Sequence, residues 1–545
     1  MSEIRDLQAK ISAICPSVVF EEGECPTICV PDADWHSLAK TLKENPEFNF
    51  DVLTAVVGMD WKESLGVVYY LTSTPHDWEV IAVKVAVEDR KDPMIHSVSD
   101  LWKVALFQER EVYDFFGIKF INHPDMRRFF LRNDWVGYPL RKDYDADPKL
   151  NPIRLDDEKN EDDTVSYVED ENGKIKAVPG KIFTEDDYVV NIGPQHPSTH
   201  GVMRFRAAVD GETVNKVEIV SGYIHRGMEK LCEGLTYPQT LHFTDRMDYM
   251  SAMQNRHCLC MCIEKALGIE VPRRAQVLRV MMDELMRISS HLLSFGCTAM
   301  DLGATTAFFY GFREREMVLN IFEKTCGARM SMNYNVIGGV IADLDPDFVS
   351  DVKKLLEVMP GALKEYHKVF SGNIIARNRL HVGHLSKEDA INYDITGPSG
   401  RGSNWSCDCR KKHPYSIYSE LDFEEVLETG CDSYARYMVR MKEIEQSCKI
   451  LAQLVDNIPE GEIRAQVPKI IKLPVGRWYQ QVEASRGTFG VYIESDGSKN
   501  PYRVHFQSPC FNLVGVMDLC CRGNMIADLI TIGAALDFVI PDIDR

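Results

Sequence analysis

"RAQVLRVMMDELMRISSHLLSFGCTAMDLGATTAFFYGF", residues 274–312, returns apolar side chains every three or four positions, at Leu278, Met281, Leu285, Ile288, Leu292 and Phe295. That period marks one face of an α-helix and predicts a long amphipathic helix over 274–296. The run then passes into small and apolar residues around a single acid, Asp301. A carboxyl in such a setting must be paired or protonated, which makes Asp301 a candidate functional group.

The same period recurs on both sides of this stretch, over 241–268, 312–327, 346–370 and 432–458, and predicts further long helices. Strand-like segments flank them. Residues 188–225 hold two alternating runs around a "VDGE" turn, and 483–509 hold two more around "SDGS". Residues 181–545 therefore read as a mainly α-helical domain with peripheral β-hairpins. Residues 1–144 read differently, as an α+β domain. "FDVLTAVVGMDW" (50–61), "GVVYYLTST" (66–74) and "EVIAVKVAVE" (79–88) have strand composition. "SVSDLWKVALFQEREVYDFFG" (97–117) has helical spacing, with Ser97 or Ser99 as the expected N-cap and Gly117 as the stop. Between the two domains, residues 145–180 are rich in acids and poor in aromatics, and they predict a solvated linker.

The 545 residues carry 62 Lys and Arg against 82 Asp and Glu, a formal charge of −20. That balance argues against a nucleic-acid role, which needs clustered cations against phosphates. The sequence contains no apolar run long enough to span a bilayer, and its first residues lack the pattern of a secretion signal, so a cytoplasmic location is expected. Glycine patterns that cradle nucleotides are missing, as are G-x-S-x-G and H-E-x-x-H. "GPSGRGSNW" (397–405) has suggestive glycine spacing without a strand-to-helix context. The sixteen cysteines include no CxxC pair. Cys258, Cys260 and Cys262 alternate along a predicted helix and cannot converge on one metal, while Cys407 and Cys409 read as buried filling.

Two further groups stand out. "NIGPQHPSTHGVMRF" (191–205) sets His196 and His200 among prolines, glycines and hydroxyls at the edge of a small sheet. The hydroxyls of Ser198 and Thr199 can orient the His200 imidazole or bond the local backbone. "FTDRMDYM" (243–250) places Asp245, Arg246, Asp248 and Tyr249 on a stretch read as helical, where Tyr249 shares a face with Asp245 and Arg246.

Longer motifs carry a resemblance. "GPQHPSTHGVMRF", "GYIHRGMEKL", "RMDYMSAM", "RVMMDELMRISSHLL", "MDLGATTAFF" and "CGARMSMNY" together resemble the 49-kilodalton (D) subunit of respiratory complex I, the proton-pumping NADH–quinone oxidoreductase. "EREVYDFFGIKFINHPDMRRFFLRNDWVGYPLRKDY" (109–144) resembles the 30-kilodalton (C) subunit. The order along the chain reads as a C/D fusion. The D part implies a fold related to nickel–iron hydrogenase large subunits, which hold their metal on two CxxC pairs. The matching stretches here, "KLCEGLTYPQT" and "TIGAALDFVIPDIDR", contain neither pair, so a hydrogenase-type large subunit is the disfavoured alternative.

The resemblance implies roles residue by residue. His200 and Tyr249 would bond the quinone headgroup oxygens, and Asp301 would pair with His200, so these three are the expected catalytic group. Arg226, Arg246 and His291 would be further polar residues near the cavity and a neighbouring iron–sulfur cluster. That cluster would sit in the adjacent B (PSST-type) subunit, and this chain would bind no metal or cofactor itself. The implied partners are B-, I- and H-type subunits and others of the peripheral arm. Through them the chain would lie on the cytoplasmic face of the inner (plasma) membrane. One departure is Ser331, which stands where many members carry a histidine beside the cluster. It implies a weaker pH dependence of the cluster potential, readable by redox titration across about pH 6–8.

Overall fold

The structure is a computed structural model that describes residues 2–21, 23, 26–76, 78–133, 135–145, 162–195 and 201–545. The chain divides into two units. The first comprises Met1–Val189, Val220–Tyr223 and Ile391–Asp394, and the second comprises Val190–Ile219, Ile224–Ala390 and Ile395–Arg545.

The first unit is built on five strands, β1 (Val19–Glu21), β2 (Thr27–Cys29), β3 (Val52–Asp60), β4 (Leu65–Ser73) and β5 (Glu79–Val87), in the order β1-β2-β5-β4-β3. The last three are the strands expected from composition. Val56 pairs with Tyr69 and Gly58 with Val67, which puts these four positions on one face. Two helices cover that face after α1 (Ser2–Ile14). Trp35 of α2 (Asp32–Glu44) lies 4.6 Å from the Tyr69 ring. At Gly58 a Cβ would come within 2.5 Å of Phe116 in α3 (Ala105–Phe116).

Gly117 stops α3 in the left-handed region at φ 71°, as expected, but the helix begins later than Ser97 or Ser99. Glu109 is the reason. Its buried carboxylate accepts from Ser97 Oγ at 2.6 Å and from the Val98 amide at 3.0 Å, so residues 97–99 form a turn folded back on the helix instead of its first turn.

The linker expectation also needs correction where the structure describes it. Residues 163–181 form a hairpin, β8 (Asp163–Glu169) with β9 (Ile175–Lys181), that extends a sheet begun by β6 (Met94–His96) and β7 (Lys119–Ile121). β9 is almost wholly solvent-facing and β8 is only half-buried, so the pair lacks the apolar content of a core strand. Composition therefore reads them as a linker.

The strands β10 (Tyr188–Gln195), β11 (Met203–Asp210) and β12 (Thr213–Val220) form a sheet that lies in the second unit from Val190 to Ile219, with the expected turn at Gly211. Helices follow: α4 (Met228–Glu233), α5 (Tyr237–Thr244), α6 (Ala252–Leu267), α7 (Arg273–Asp301), α8 (Thr305–Cys326) and α9 (Phe348–Tyr366). The later helix Ser433–Leu454 is N-capped by Asp432, which accepts from the Ala435 amide at 2.8 Å. A sheet of Val475–Glu483, Thr488–Asp496 and Arg503–Gln507 packs on α6, and its first strand precedes the stretch predicted to be β. Cys258 and Cys262 donate to its carbonyls at Gln480 and Val491, at 3.2 and 3.8 Å, while Cys260, two positions from each, is buried elsewhere in the core.

Two expectations about the helices change. The predicted helix 241–268 is broken, because Asp248 accepts from the Met250 amide at 2.9 Å and the Ser251 amide bonds the Asp248 carbonyl at 3.0 Å. Aspartate offering its own backbone a turn in place of a helix is the competing interaction. And α7 is not amphipathic in place. Every residue from Val277 to Gly296 is buried, with Asp283, Glu284, Arg287 and His291 turned into the protein instead of water.

Candidate functional site

The break between α5 and α6 presents Tyr249. Asp248, immediately before it, is clamped by Arg486, whose Nη1 lies 2.9 and 3.1 Å from the two carboxylate oxygens. The same guanidinium donates from Nε to the Asp537 carbonyl at 2.6 Å and from Nη1 to Ser290 Oγ at 3.1 Å on α7. One arginine therefore ties the Tyr249 turn to α7 and to the C-terminal stretch. Tyr249 is half-buried, and burial pushes its phenol up to about 12, against the pull of Arg486. It is a protonated hydrogen-bond donor across the neutral range.

Asp301 closes α7, one turn beyond Cys297 on the same face. Burial, then Asp537 and Asp301, push the Cys297 thiol up to about 12, and Cys297 in turn acts on Tyr249. Tyr249, Cys297 and Asp301 thus share one electrostatic neighbourhood. His196 and His200 lie outside the described residues. Gly201, just after them, is described. It holds φ 155°, and a Cβ there would stand 2.4 Å from Ile540 Cβ and 3.0 Å from Pro541 Cδ. Gly201→Ala is expected to cost about 1–3 kcal/mol through this overlap, read as a lower denaturation midpoint. An unchanged midpoint would show that the seat of Gly201 against Ile540 is not tight.

Arg226 and Arg246 lie together on an exposed edge. Arg226 Nη2 donates to the Arg246 carbonyl at 2.8 Å, and Arg246 Nη1 to the His242 carbonyl at 2.9 Å. Behind them Asp245 is buried against Arg256 at 2.9 Å, and burial pushes its carboxyl up to about 6. Ser331, in the left-handed region at φ 54°, donates to the Asp245 carbonyl at 3.4 Å. The helical face proposed for Asp245, Arg246 and Tyr249 does not form, since all three follow the end of α5.

His291 lies elsewhere. Ten residues before Asp301 on α7, it is about 15 Å away along the helix axis. It is fully buried, with Nε2 2.8 Å from Glu443 Oε2. Glu443 belongs to an internal ionic cluster that sequence reasoning missed. Arg401 reaches Glu443 at 2.8 Å and Glu483 at 2.7 Å, and Arg410 reaches Glu284 at 3.0 Å and Asp408 at 2.7 Å. Arg287, Tyr418 and Ser447 complete the hydrogen bonding of Glu284. Against the cost of burial, Arg401 and His291 hold the Glu443 carboxyl well below the usual carboxylate range. Arg486 and Asp537 were missed as well. The available signal was the number of charged residues on α7 that its apolar stripe cannot leave in water.

Residues 301–545 match the family model described as respiratory-chain NADH dehydrogenase, 49 Kd subunit, and residues 28–149 match that of the 30 Kd subunit. The chain is 55% identical over 516 residues to the NADH-quinone oxidoreductase C/D subunit of Bacteroides fragilis, an alignment covering 92% of this chain and 97% of that one. The chain belongs to this C/D family. The C/D relative from Phocaeicola vulgatus is 54% identical over 519 residues, covering 95% and 99% of the two chains. The NADH-quinone oxidoreductase D subunit of Geobacillus kaustophilus is 45% identical over 361 residues, covering 66% of this chain and 98% of its own. The chain is thus a fusion of a 30 Kd-type and a 49 Kd-type domain and part of an oxidoreductase complex, complex I. Among its described residues, no helix is long and apolar enough to cross a membrane.

Proposed function

We propose that this C/D fusion forms the quinone headgroup site of its complex. Electrons arrive from an iron–sulfur cluster on the adjacent B-type subunit, and quinone reduction is coupled to proton translocation. Tyr249 carries the reading: a half-buried phenol, protonated at neutral pH, held by the Asp248–Arg486–Asp537 clamp beside the end of α7 where Asp301 stands. Reducing a quinone to a quinol adds two electrons and forms two O–H bonds, so a proton donor is needed at each oxygen. Tyr249 supplies one and His200 the other, with Asp301 holding the imidazolium before transfer. Burial disfavours the phenolate, so after each transfer Tyr249 takes a proton back at equilibrium.

The exposed Arg226–Arg246 edge with Ser331 is the face we assign to the B-type subunit. I- and H-type subunits then carry the assembly to the cytoplasmic face of the inner (plasma) membrane. His291 supports the site through the internal cluster and does not touch the headgroup. His200→Ala in the assembled complex is expected to lower quinone reduction by about 10²-fold or more while NADH oxidation by an artificial acceptor continues. An assembled His200→Ala complex that reduces quinone at the normal rate would leave the chain a scaffold and cavity wall.

A further inference from the structure

Buried arginines in the second unit come with carboxylates: Arg256 with Asp245, Arg279 with Glu264, Arg401 with Glu443 and Glu483, Arg486 with Asp248. Arg436 has none among the described residues but donates to the Gly383 carbonyl at 2.6 Å. Arg315, on α8, departs from the pattern. It is 6% exposed, and its hydrogen bond among the described residues is from Nη2 to the sulfur of Met250 at 3.7 Å. Its Nε is buried with no partner among the described residues, and the guanidinium stands 5.4 Å from the Phe312 ring centroid. Thioether and ring face offset little of the cost of taking a full positive charge out of water. Burial accordingly pulls its pKa down, with Glu316 opposing and Arg329 adding to the fall.

Its position gives that cost a use. Met250 adjoins Tyr249 in the chain, and the groups acting on the guanidinium include both Tyr249 and Cys297. A cation with no carboxylate paired to it among the described residues therefore lies against Met250, next to the Tyr249 turn, within electrostatic reach of Tyr249 and Cys297. Met250 and the Phe312 ring, neither of them charged, are the groups against it, and the residue is 6% exposed. What can reach it is negative charge that arises inside the site. A quinone oxygen carries such charge after electrons arrive and before a proton is transferred, and a preorganised cation favours that moment over the neutral ground state.

We propose that Arg315 is a charge-stabilising residue of quinone reduction, its guanidinium compensating the negative charge on the quinone oxygen that Tyr249 protonates. The proposal rests on the quinone reading of Tyr249. The electrons come from the donor cluster, the proton from the phenol, and Arg315 neither gains nor loses one.

The test is Arg315→Met in the complete complex, with Arg315→Lys and Tyr249→Phe beside it. Methionine keeps an unbranched stem against Met250 and Phe312 while removing the charge. The expected result is a thermal midpoint equal to or above that of the natural complex, with kcat for quinone lowered about tenfold or more and the quinone KM little changed. Arg315→Lys should recover part of the rate. Reduction of an artificial acceptor upstream should not change. A residue with a merely structural role would move midpoint and rate down together and affect upstream activity, and that outcome overturns the proposal. So does an unchanged kcat in Arg315→Met while Tyr249→Phe is slow, which removes the role of Arg315 and leaves that of Tyr249. An unchanged rate in Tyr249→Phe fails the quinone reading itself.

Discussion

In a complex assembled around Tyr249→Phe, quinone reduction is expected to fall by about 10²- to 10⁴-fold, the range a positioned proton donor supplies. The substitution removes one oxygen and keeps the ring, and the clamp that sets the turn does not involve the phenol: Arg486 bonds Asp248, Asp537 and Ser290. The loss should therefore fall on kcat far more than on KM, because the hydrogen bond strengthens as charge develops on the quinone oxygen. The phenol titrates near 12, so it is competent as a donor at any lower pH, and its own ionisation should leave no limb in the rate profile between about pH 6 and 10. Steady-state quinone reduction, with an upstream artificial-acceptor assay as control, reads the effect. A normal kcat would remove Tyr249 from the chemistry.

Arg401→Ala is expected to be the most damaging single change in the second unit. It strands Glu443 and Glu483, both fully buried, and breaking a buried pair in this way costs about 3–5 kcal/mol. The sign of its pH dependence follows from Glu443. In the natural chain that carboxyl titrates below its unfolded value, so its contribution is present above the unfolded pKa and is lost as pH falls. Without Arg401, burial raises the folded pKa instead, and stability drains as pH rises from the unfolded value. The difference in thermal midpoint between variant and natural complexes should thus be larger at pH 8 than at pH 5.5. A difference that is small, or larger in acid, would show that the cluster is not held by this arginine.

The legible parts of the fold were those with a strong local period. The strands β3 to β5 and the start of α7 follow from sequence alone, although α7 runs on past the expected end at Gly296 to Asp301, and Gly117 ends α3 as its lack of a side chain allows. What escaped was decided by partners far along the chain or by a side chain bonding its own backbone. Asp248 breaks a continuous helical pattern through such bonds, and the break is what presents Tyr249. Arg401 meets Glu443 and Glu483 only once the helix Ser433–Leu454 and the strand Val475–Glu483 are packed, so no spacing in sequence announces the cluster. The hairpin 163–181 is exposed along β9 and only half-buried along β8, and it lacks the apolar content that marks a core strand. Among the candidate site residues, Tyr249 and Asp301 were legible as ionisable groups among apolar neighbours. His291 was named only by the resemblance, and its bond to Glu443 could not be read from spacing. Arg315 went unnoticed because a lone arginine on a helix ordinarily faces solvent.

The most direct measurement is a structure of the assembled complex with a short-tailed quinone bound. A headgroup oxygen about 2.7–2.8 Å from Tyr249 Oη, with the other oxygen toward His200, is the predicted result. A headgroup seated away from Tyr249, under conditions where the complex turns over, would contradict it.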